Sequence, residues 1–175
     1  MKDLILGSHL FFAREGEVID SVTVAADAKP DTDPETNWTK LGCIEQFEPS
    51  RDGGTDIIRR CPSPGRYRDR KVLQTGGTLV YNFSIQQWDE MTLAEMLFNA
   101  DTPSGGVFVP NSRTEDVRGW WKIQSYDQND QLIIAMDVWG SARIDSYQFA
   151  EGADPYALQI RQLHSELNEG ALTNI

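Results

Sequence analysis

The sequence contains few of the residues that usually form disulfides or metal sites. Its 175 residues include only two cysteines, Cys43 and Cys61, and two histidines, His9 and His164, which lie near opposite ends of the chain. Two cysteines without a CxxC spacing do not make a disulfide framework or a zinc-type cysteine cluster. We therefore expect two free thiols, no metal site and no cofactor.

Catalytic motifs and long apolar runs are also missing. There is no GxSxG, phosphate-loop or GxGxxG pattern, and the glycine pairs at 76–77 and 105–106 are typical of turns before strands. We do not expect an enzyme, although a glycoside hydrolase stays a third hypothesis because an acidic chain supplies many carboxylates. No stretch approaches membrane-spanning length and no secretion signal is evident, so we expect a cytoplasmic product without membrane contacts.

Positive charge is scarce and unevenly distributed. The net charge of −11 argues against a nucleic-acid clamp, which needs a positive surface to displace counterions. Residues 49–71 nevertheless carry seven cations against three carboxylates, and a segment with so few apolar residues predicts an extended basic loop or hairpin. A basic insertion on an acidic body also lets copies of the chain attract one another. The cations are Arg51, Arg59, Arg60, Arg66, Arg68, Arg70 and Lys71.

The clearest local signal is a strand followed by a helix. Residues 78–86 have the period of a half-buried strand. One face carries Leu79, Tyr81, Phe83 and Ile85, and the other carries Thr78, Val80, Asn82, Ser84 and Gln86. Thr92 and Glu95 match a capping box, and Leu93, Met96 and Leu97 then lie on one side of about two helical turns. This spacing predicts a short helix, ending by residue 99, that is docked on a sheet through those three side chains.

Further strands are predicted where apolar residues alternate between turn residues. They cover residues 4–13, 18–25, 38–47, 55–61, 67–74, 107–109, 119–126, 131–144 and 156–164. This content predicts one domain over residues 1–175, mainly β, built as an antiparallel sandwich or small barrel with one short flanking α-helix. Residues 168–175 are expected to form a C-terminal tail.

The order of these parts resembles bacteriophage tail tube proteins, and also the tube proteins of bacterial secretion systems. The resemblance runs from about Gly7 to Ile160. It rests on the opening GSHLFFA strand, the WTKLGCIE step at residues 38–45, a long loop that closes at Gly65, and a strand that ends in WD before the LAEML helix. The W-x-x-L-G step is its most distinctive element.

This resemblance implies a structural virion protein without an active site. In such proteins the inner sheets of six subunits join into a continuous ring, and rings stack into the tube that conducts DNA. The loop over residues 51–71 and the chain ends would bind neighbouring copies. Implied partners are other tail proteins, namely the tape measure, the terminator and the baseplate or tip. The implied location is the virion tail, assembled in the host cytoplasm, with DNA passing through without specific binding.

A DNA conduit would need an inner wall without positive charge, because neutralised phosphates add affinity. The face of the central strand opposite the core meets this condition, and Asp137 would join it if it points the same way. An ordinary solvent-exposed sheet face would have the same composition. The lumen candidates are Thr78, Asn82, Ser84, Gln86 and Asp137.

The main alternative is a carbohydrate-binding β-sandwich module. Trp88, Trp120, Trp121 and Trp139 would then be available to stack on sugar rings. Large aromatic residues more often lie in or beside the core, which would explain the same tryptophans without a ligand.

Overall fold

The computed structural model describes residues 5–31, 33–63, 66–87, 89, 91–152 and 155–173, and for residues 5, 6, 42, 43, 55–63 and 66–75 it describes the backbone alone. Strands make up half of the chain, and two short helices interrupt them. In chain order the elements are β1 (Ile5–Arg14), β2 (Val18–Ile19), β3 (Val22–Thr23), α1 (Pro34–Asn37), β4 (Thr39–Asp52), β5 (Thr55–Ser63), β6 (Arg66–Thr75), β7 (Thr78–Ile85), a π-helix (Met91–Leu97), β8 (Val117–Asp127), β9 (Leu132–Arg143), β10 (Tyr156–Gln162) and β11 (Glu169–Leu172).

Six strands close into an antiparallel barrel in the order β10-β7-β4-β1-β8-β9, and β9 returns to β10. This architecture confirms the predicted fold class, as a barrel rather than an open sandwich. The closing pair has almost no room for a side chain, because a Cβ on Gly140 would lie 2.9 Å from the Arg161 carbonyl oxygen. A glycine at this position therefore lets β9 and β10 approach closely enough to pair.

The barrel interior is filled by apolar side chains from all six barrel strands. Along β7 the alternation is as predicted: Tyr81, Phe83 and Ile85 are buried in this core. Along β1 the inward residues are Leu10 and Phe12. Each fully buried side chain of this size contributes about 1.5 to 3 kcal/mol relative to exposure, so this interior supplies most of the driving force for folding.

A second, smaller core covers one outer side of the barrel. The outward residues of β1, Phe11 and Ala13, pack with Trp120 and Trp139 beneath Trp38 and the β2–β3 hairpin. The strands β1, β8 and β9 are therefore buried on both faces. The outer faces of β4, β7 and β10 lack such a cover among the described residues and carry mainly polar side chains, although Val80 on this face of β7 is only 2% exposed.

The helix after β7 differs from the prediction in its geometry and its cap. It is a π-helix, in which the Phe98 amide donates to the Leu93 carbonyl at 3.3 Å. The Thr92 amide donates to the Asp89 carboxylate at 2.7 Å and the Asp89 amide to the Thr92 hydroxyl at 3.1 Å, so Asp89 caps the helix. The predicted Thr92–Glu95 capping box is wrong because the Glu95 carboxylate is held by two arginines instead.

The predicted docking face of this helix is right for two of three residues. Met96 is buried in the barrel core, and Leu97 packs against that core from a half-buried position. Leu93 is half-buried and lines a surface cavity with Tyr147 and Phe149. The wider π-helical turn shifts side chains around the axis, so an α-helical spacing placed Leu93 on the wrong side.

Several smaller expectations also need correction. Residues 18–25 form the two-residue strands β2 and β3 rather than one strand, and residues 107–109 contribute only a bridge between Ser104 and Val107. The segment between the predicted strands 18–25 and 38–47 contains α1, capped by the Asp33 carboxylate. The expected tail contains β11, which pairs with β9 beside β10.

Candidate subunit interface

The basic segment forms a two-stranded arm, defined here as β5 and β6. Thr55 pairs with Thr75 at its base and Ser63 with Arg66 near its tip, which gives a length of about 30 Å. The two strands pair with each other and with no other described strand. The hairpin alternative of the sequence prediction is therefore correct for the backbone, whereas the tip residues 64 and 65 lie outside the described part.

Glycines connect the arm to the barrel. The β4–β7 ladder ends at the pair Asp52 and Thr78, and Gly53, Gly54, Gly76 and Gly77 follow with φ values of 74°, 101°, 68° and 120°. Other residues rarely adopt such angles, so this joint requires glycine on both strands. Arg51 lies at the joint, where its side chain leaves no space for a Cβ on Gly77.

The register of the arm contains one like-charged pair and one oppositely charged pair. Arg59 is the cross-strand partner of Lys71, whereas Arg60 faces Asp69. Like charges directly opposite each other destabilise an antiparallel pair, and an isolated two-stranded hairpin is at best marginally stable. The arm carries six cations against two carboxylates, so an acidic surface would complement its charge. The side chains of Arg59, Arg60, Arg66, Arg68, Arg70 and Lys71 lie outside the described part.

The uncovered outer side of the barrel carries a row of uncharged polar side chains across β4, β7 and β10. The Asn82 side-chain amide donates to Ser50 Oγ at 3.1 Å, and its carbonyl oxygen accepts from the Gln159 amide at 3.3 Å. Thr78 and Ser84 are half-buried on β7, and Gln86 is exposed and hydrogen-bonded to Glu45. These four predicted lumen candidates therefore share one polar surface.

Asp137 is separated from that row. It lies on the outer face of β9, where it is buried beneath the N-terminal segment and paired with two lysines. Lys29 Nζ donates to Asp137 Oδ2 at 2.7 Å, and Lys122 Nζ lies 2.9 Å from Oδ1. Burial raises the pKa of Asp137, but the hydrogen bonds and charges of both lysines outweigh burial and hold that pKa below its ordinary value. Its charge is neutralised inside the fold, so it does not contribute to an exposed wall.

The same cluster attaches the C-terminal strand. Lys29 also binds the Glu169 carboxylate at the start of β11, so one lysine joins the N-terminal segment, β9 and β11. Burial lowers the pKa of Lys29, but its bonds to Asp137 and Glu169 outweigh burial and raise that pKa above its ordinary value. All four residues of β11 are exposed, so the strand is held by its backbone ladder, by this lysine and by bonds at its two ends: Asn168 accepts from the Trp139 amide at 2.6 Å, and the Thr173 hydroxyl donates to the Leu132 carbonyl at 2.8 Å.

The tryptophans do not form an exposed aromatic platform. Trp120 and Trp121 are completely buried and Trp139 nearly so. The indole of Trp120 donates to the Ala25 carbonyl at 2.8 Å and that of Trp121 to the Gly140 carbonyl at 3.2 Å. These three side chains act as core residues and are not accessible to a sugar, whereas Trp88 lies outside the described residues.

Neither a metal centre nor a membrane span is found in the part of the chain that the structure describes. No group of three histidine, cysteine or acidic side chains is arranged to hold an ion there. Of the helices described, none is long and apolar enough to cross a bilayer. In comparisons with known proteins, no family model and no curated protein matches the chain.

Proposed function

We propose that this protein is a structural subunit that assembles with copies of itself into stacked rings, as the tube of a phage tail or a phage-derived particle. The observation that carries the proposal is the basic arm. It is a long hairpin on a glycine joint, it carries six cations against two carboxylates, and the rest of the chain is acidic. Such an arm is suited to binding the acidic body of another copy.

The position of the arm supports a head-to-tail contact. The arm joins the barrel where β7 begins at Thr78, whereas β7 ends at Ile85 and leads to the π-helix. A contact between two different surfaces of identical subunits is not self-limiting, because each new copy presents the same free surface again. Repeated contacts of this kind produce stacks, which is the geometry that a tube needs.

The uncovered polar side of the barrel supports an inner wall. The row that contains Asn82, Ser84 and Gln159 is uncharged, and the neighbouring cation on this face, Arg161, is paired with Asp52 at 2.8 Å, so DNA passing along it would find little unpaired positive charge to release counterions. Six subunits per ring, the other tail proteins as partners and a location in the virion tail are adopted from the family resemblance. The proposed function involves no catalysis.

Electron microscopy of the purified full chain in negative stain tests the proposal. Rings or tubes, seen at several protein concentrations, are the expected result. Particles that remain single subunits at all concentrations, in low and in physiological salt, would contradict it. Binding to an array of oligosaccharides by such single subunits would favour the carbohydrate-binding alternative.

A further inference from the structure

A partly exposed aromatic patch lies beside the π-helix, at the edge of the barrel core. It consists of Phe98, Phe108 and Phe149. Val107 and Val109 flank Phe108 in the sequence. The rings of Phe98 and Phe108 stack with centroids 5.4 Å apart, and Phe149 stacks on Phe98 at 6.4 Å. Phe149 is 62% exposed and Phe98 is 37% exposed, whereas Phe108 is half-buried beside Val107, which is 74% exposed. Contiguous apolar surface of this kind usually marks a binding site.

The patch lies at the end of β7 away from the arm. The arm is attached at Thr78, and Phe98 follows the π-helix that begins after the other end of this eight-residue strand. A strand of that length separates its ends by about 25 Å. A patch at one end and an arm at the other are the two different surfaces that a head-to-tail contact requires.

The composition of the arm complements the patch. Near its base the register pairs Ile57 with Leu73 and Ile58 with Val72, whereas the arginines follow toward the tip. The patch supplies aromatic rings, and Glu151 is exposed at the cavity that Phe149 and Leu93 line. Aliphatic side chains gain from contact with such rings, and arginine binds both aromatic faces and carboxylates.

We propose that the aromatic patch is the receptor for the arm of the next copy of this chain. The inference rests on the proposed function and adds to it the second half of the stacking contact. The patch follows residue 71, in the part of the chain that carries a net charge of −9, whereas residues 49–71 carry +4. This charge difference favours a second copy of the chain as the occupant over an acidic partner.

The first test compares exposed apolar residues inside and outside the patch. Phe149→Ser and Glu151→Lys are expected to raise the protein concentration for half-maximal assembly at least about tenfold. Val18→Ser removes a side chain that is 66% exposed in the β2–β3 hairpin, and it is expected to assemble as the wild type does. Circular dichroism and thermal unfolding establish that each variant is folded.

A mixing experiment tests the pairing itself. The arm variant Arg66→Glu, Arg68→Glu, Arg70→Glu retains an intact patch, and Phe149→Ser retains an intact arm. If the arm binds the patch, the mixture restores one contact and gives a particle of about twice the mass of either variant alone, measured by analytical ultracentrifugation.

The outcomes separate the inference from the proposed function. If the wild type assembles, but Phe149→Ser and Glu151→Lys assemble equally well, the patch is not the receptor and the tube proposal stands. A mixture that stays at the mass of its components would also overturn the inference. If the wild type never assembles, the proposed function fails first. Closed dimers that stop at two copies would indicate reciprocal arm exchange instead of stacking.

Discussion

Arg14 at the end of β1 donates from Nη2 to Glu95 Oε1 at 2.7 Å, and this bond joins the barrel to the π-helix. Arg113 donates to the other oxygen of the same carboxylate at 2.8 Å, and the Arg14 guanidinium also holds Thr102 at 2.9 Å. The Glu95 side chain is 1% exposed, whereas both arginines keep some contact with water. One buried carboxylate therefore connects β1, the helix and the loop after it.

Glu95→Gln tests this junction. The amide keeps the shape of the side chain but loses the charge, and it presents a donor toward one of two arginines. We expect the free energy of unfolding to fall by about 2 to 3 kcal/mol, less than for a fully buried pair because the arginines are partly hydrated. Urea unfolding followed by tryptophan fluorescence measures the change.

The matched control is Glu115→Gln, which removes an exposed ion pair with Arg118. We expect it to change the free energy of unfolding by less than about 1 kcal/mol. Equal effects of the two substitutions would show that Glu95 is not a structural junction.

The Glu95 pairing shows where sequence patterns stop being informative. Thr92 and Glu95 fit the capping-box spacing, in which the Glu95 side chain would accept from the Thr92 amide. In the structure the Asp89 carboxylate, three residues before Thr92, accepts from that amide instead. The competing partners of Glu95 are Arg14 and Arg113, which are 81 and 18 residues away in the chain. A local pattern carries no information about such distant cations, so tertiary structure decides between the two assignments.

Met96→Asp tests the docking of the helix. Met96 is 3% exposed and packs in the barrel core, with no cation to pair with a carboxylate among the core residues described there. Burying an unpaired charge is expected to cost about 3 to 5 kcal/mol and to leave insoluble or unfolded protein. Met96→Leu, which conserves volume, should cost less than about 1.5 kcal/mol. A soluble Met96→Asp protein with native circular dichroism would contradict this placement.

The ion cluster around Asp137 predicts a dependence of stability on pH. The pKa of Asp137 is lower in the folded protein than in the unfolded chain, where it is about 3.9. The pairs with Lys29 and Lys122 therefore contribute fully above that unfolded value, and their contribution is lost as the pH falls through the lower folded value.

Asp137→Asn removes this titration. At neutral pH the variant should be less stable than the wild type by about 2 to 4 kcal/mol, and the difference should narrow as the pH falls below about 4. Urea unfolding at a series of pH values measures the difference. Asp145→Asn affects an exposed pair with Arg143 and should change stability little at any pH. If the difference in free energy of unfolding between Asp137→Asn and the wild type stayed constant down to acid pH, Asp137 would not be the group that titrates.

Reversal of the arm charges tests assembly. Arg66→Glu, Arg68→Glu, Arg70→Glu changes the arm from basic to acidic, so a contact with an acidic neighbour becomes repulsive. Each exposed pair contributes only about 0 to 1 kcal/mol, but a ring repeats the contact in every subunit. We expect folded protein that does not polymerise, measured by light scattering and electron microscopy.

The charge-preserving control replaces the same three arginines with lysine. It should polymerise, although more weakly, because lysine lacks the fork that binds carboxylates in a bidentate way. Tubes of normal length from the glutamate variant would show that the arm charges are dispensable.

Features set by neighbouring residues in the sequence were predicted correctly, whereas features set by residues far apart in the sequence were not. Alternation along 78–86 predicted the core face of β7, and the predicted strands 119–126 and 131–144 correspond to the paired strands β8 and β9. Closure of β9 onto β10 depends on the missing side chain of Gly140 and on pairs such as Gln162 with Gly140, for which no local signal exists. The strand period correctly places Asp137 on the outer face of β9. Its pairing with Lys29 could not be predicted, because Lys29 lies 108 residues away in the chain. The aromatic patch was not predicted because Phe98, Phe108 and Phe149 come from three separate segments of the sequence that only the fold brings together.

The polar row on β7 gives the last prediction, which concerns the proposed channel. Ser84 and Gln86 lie on the uncovered outer side, so lysines at both positions should be tolerated by the fold. If this side lines the lumen, the double variant Ser84→Lys, Gln86→Lys adds two cations per subunit to the wall. Each phosphate that these lysines neutralise releases counterions, which raises the affinity for DNA in low salt. That added affinity falls steeply as the salt concentration rises. We expect tubes of the variant to retain short duplex DNA in low salt and to release it as salt rises.

Wild-type tubes and tubes of Val18→Lys, which places a cation in the β2–β3 hairpin, should not retain it. Retention by the Val18→Lys tubes alone would place the lumen on the other side of the barrel.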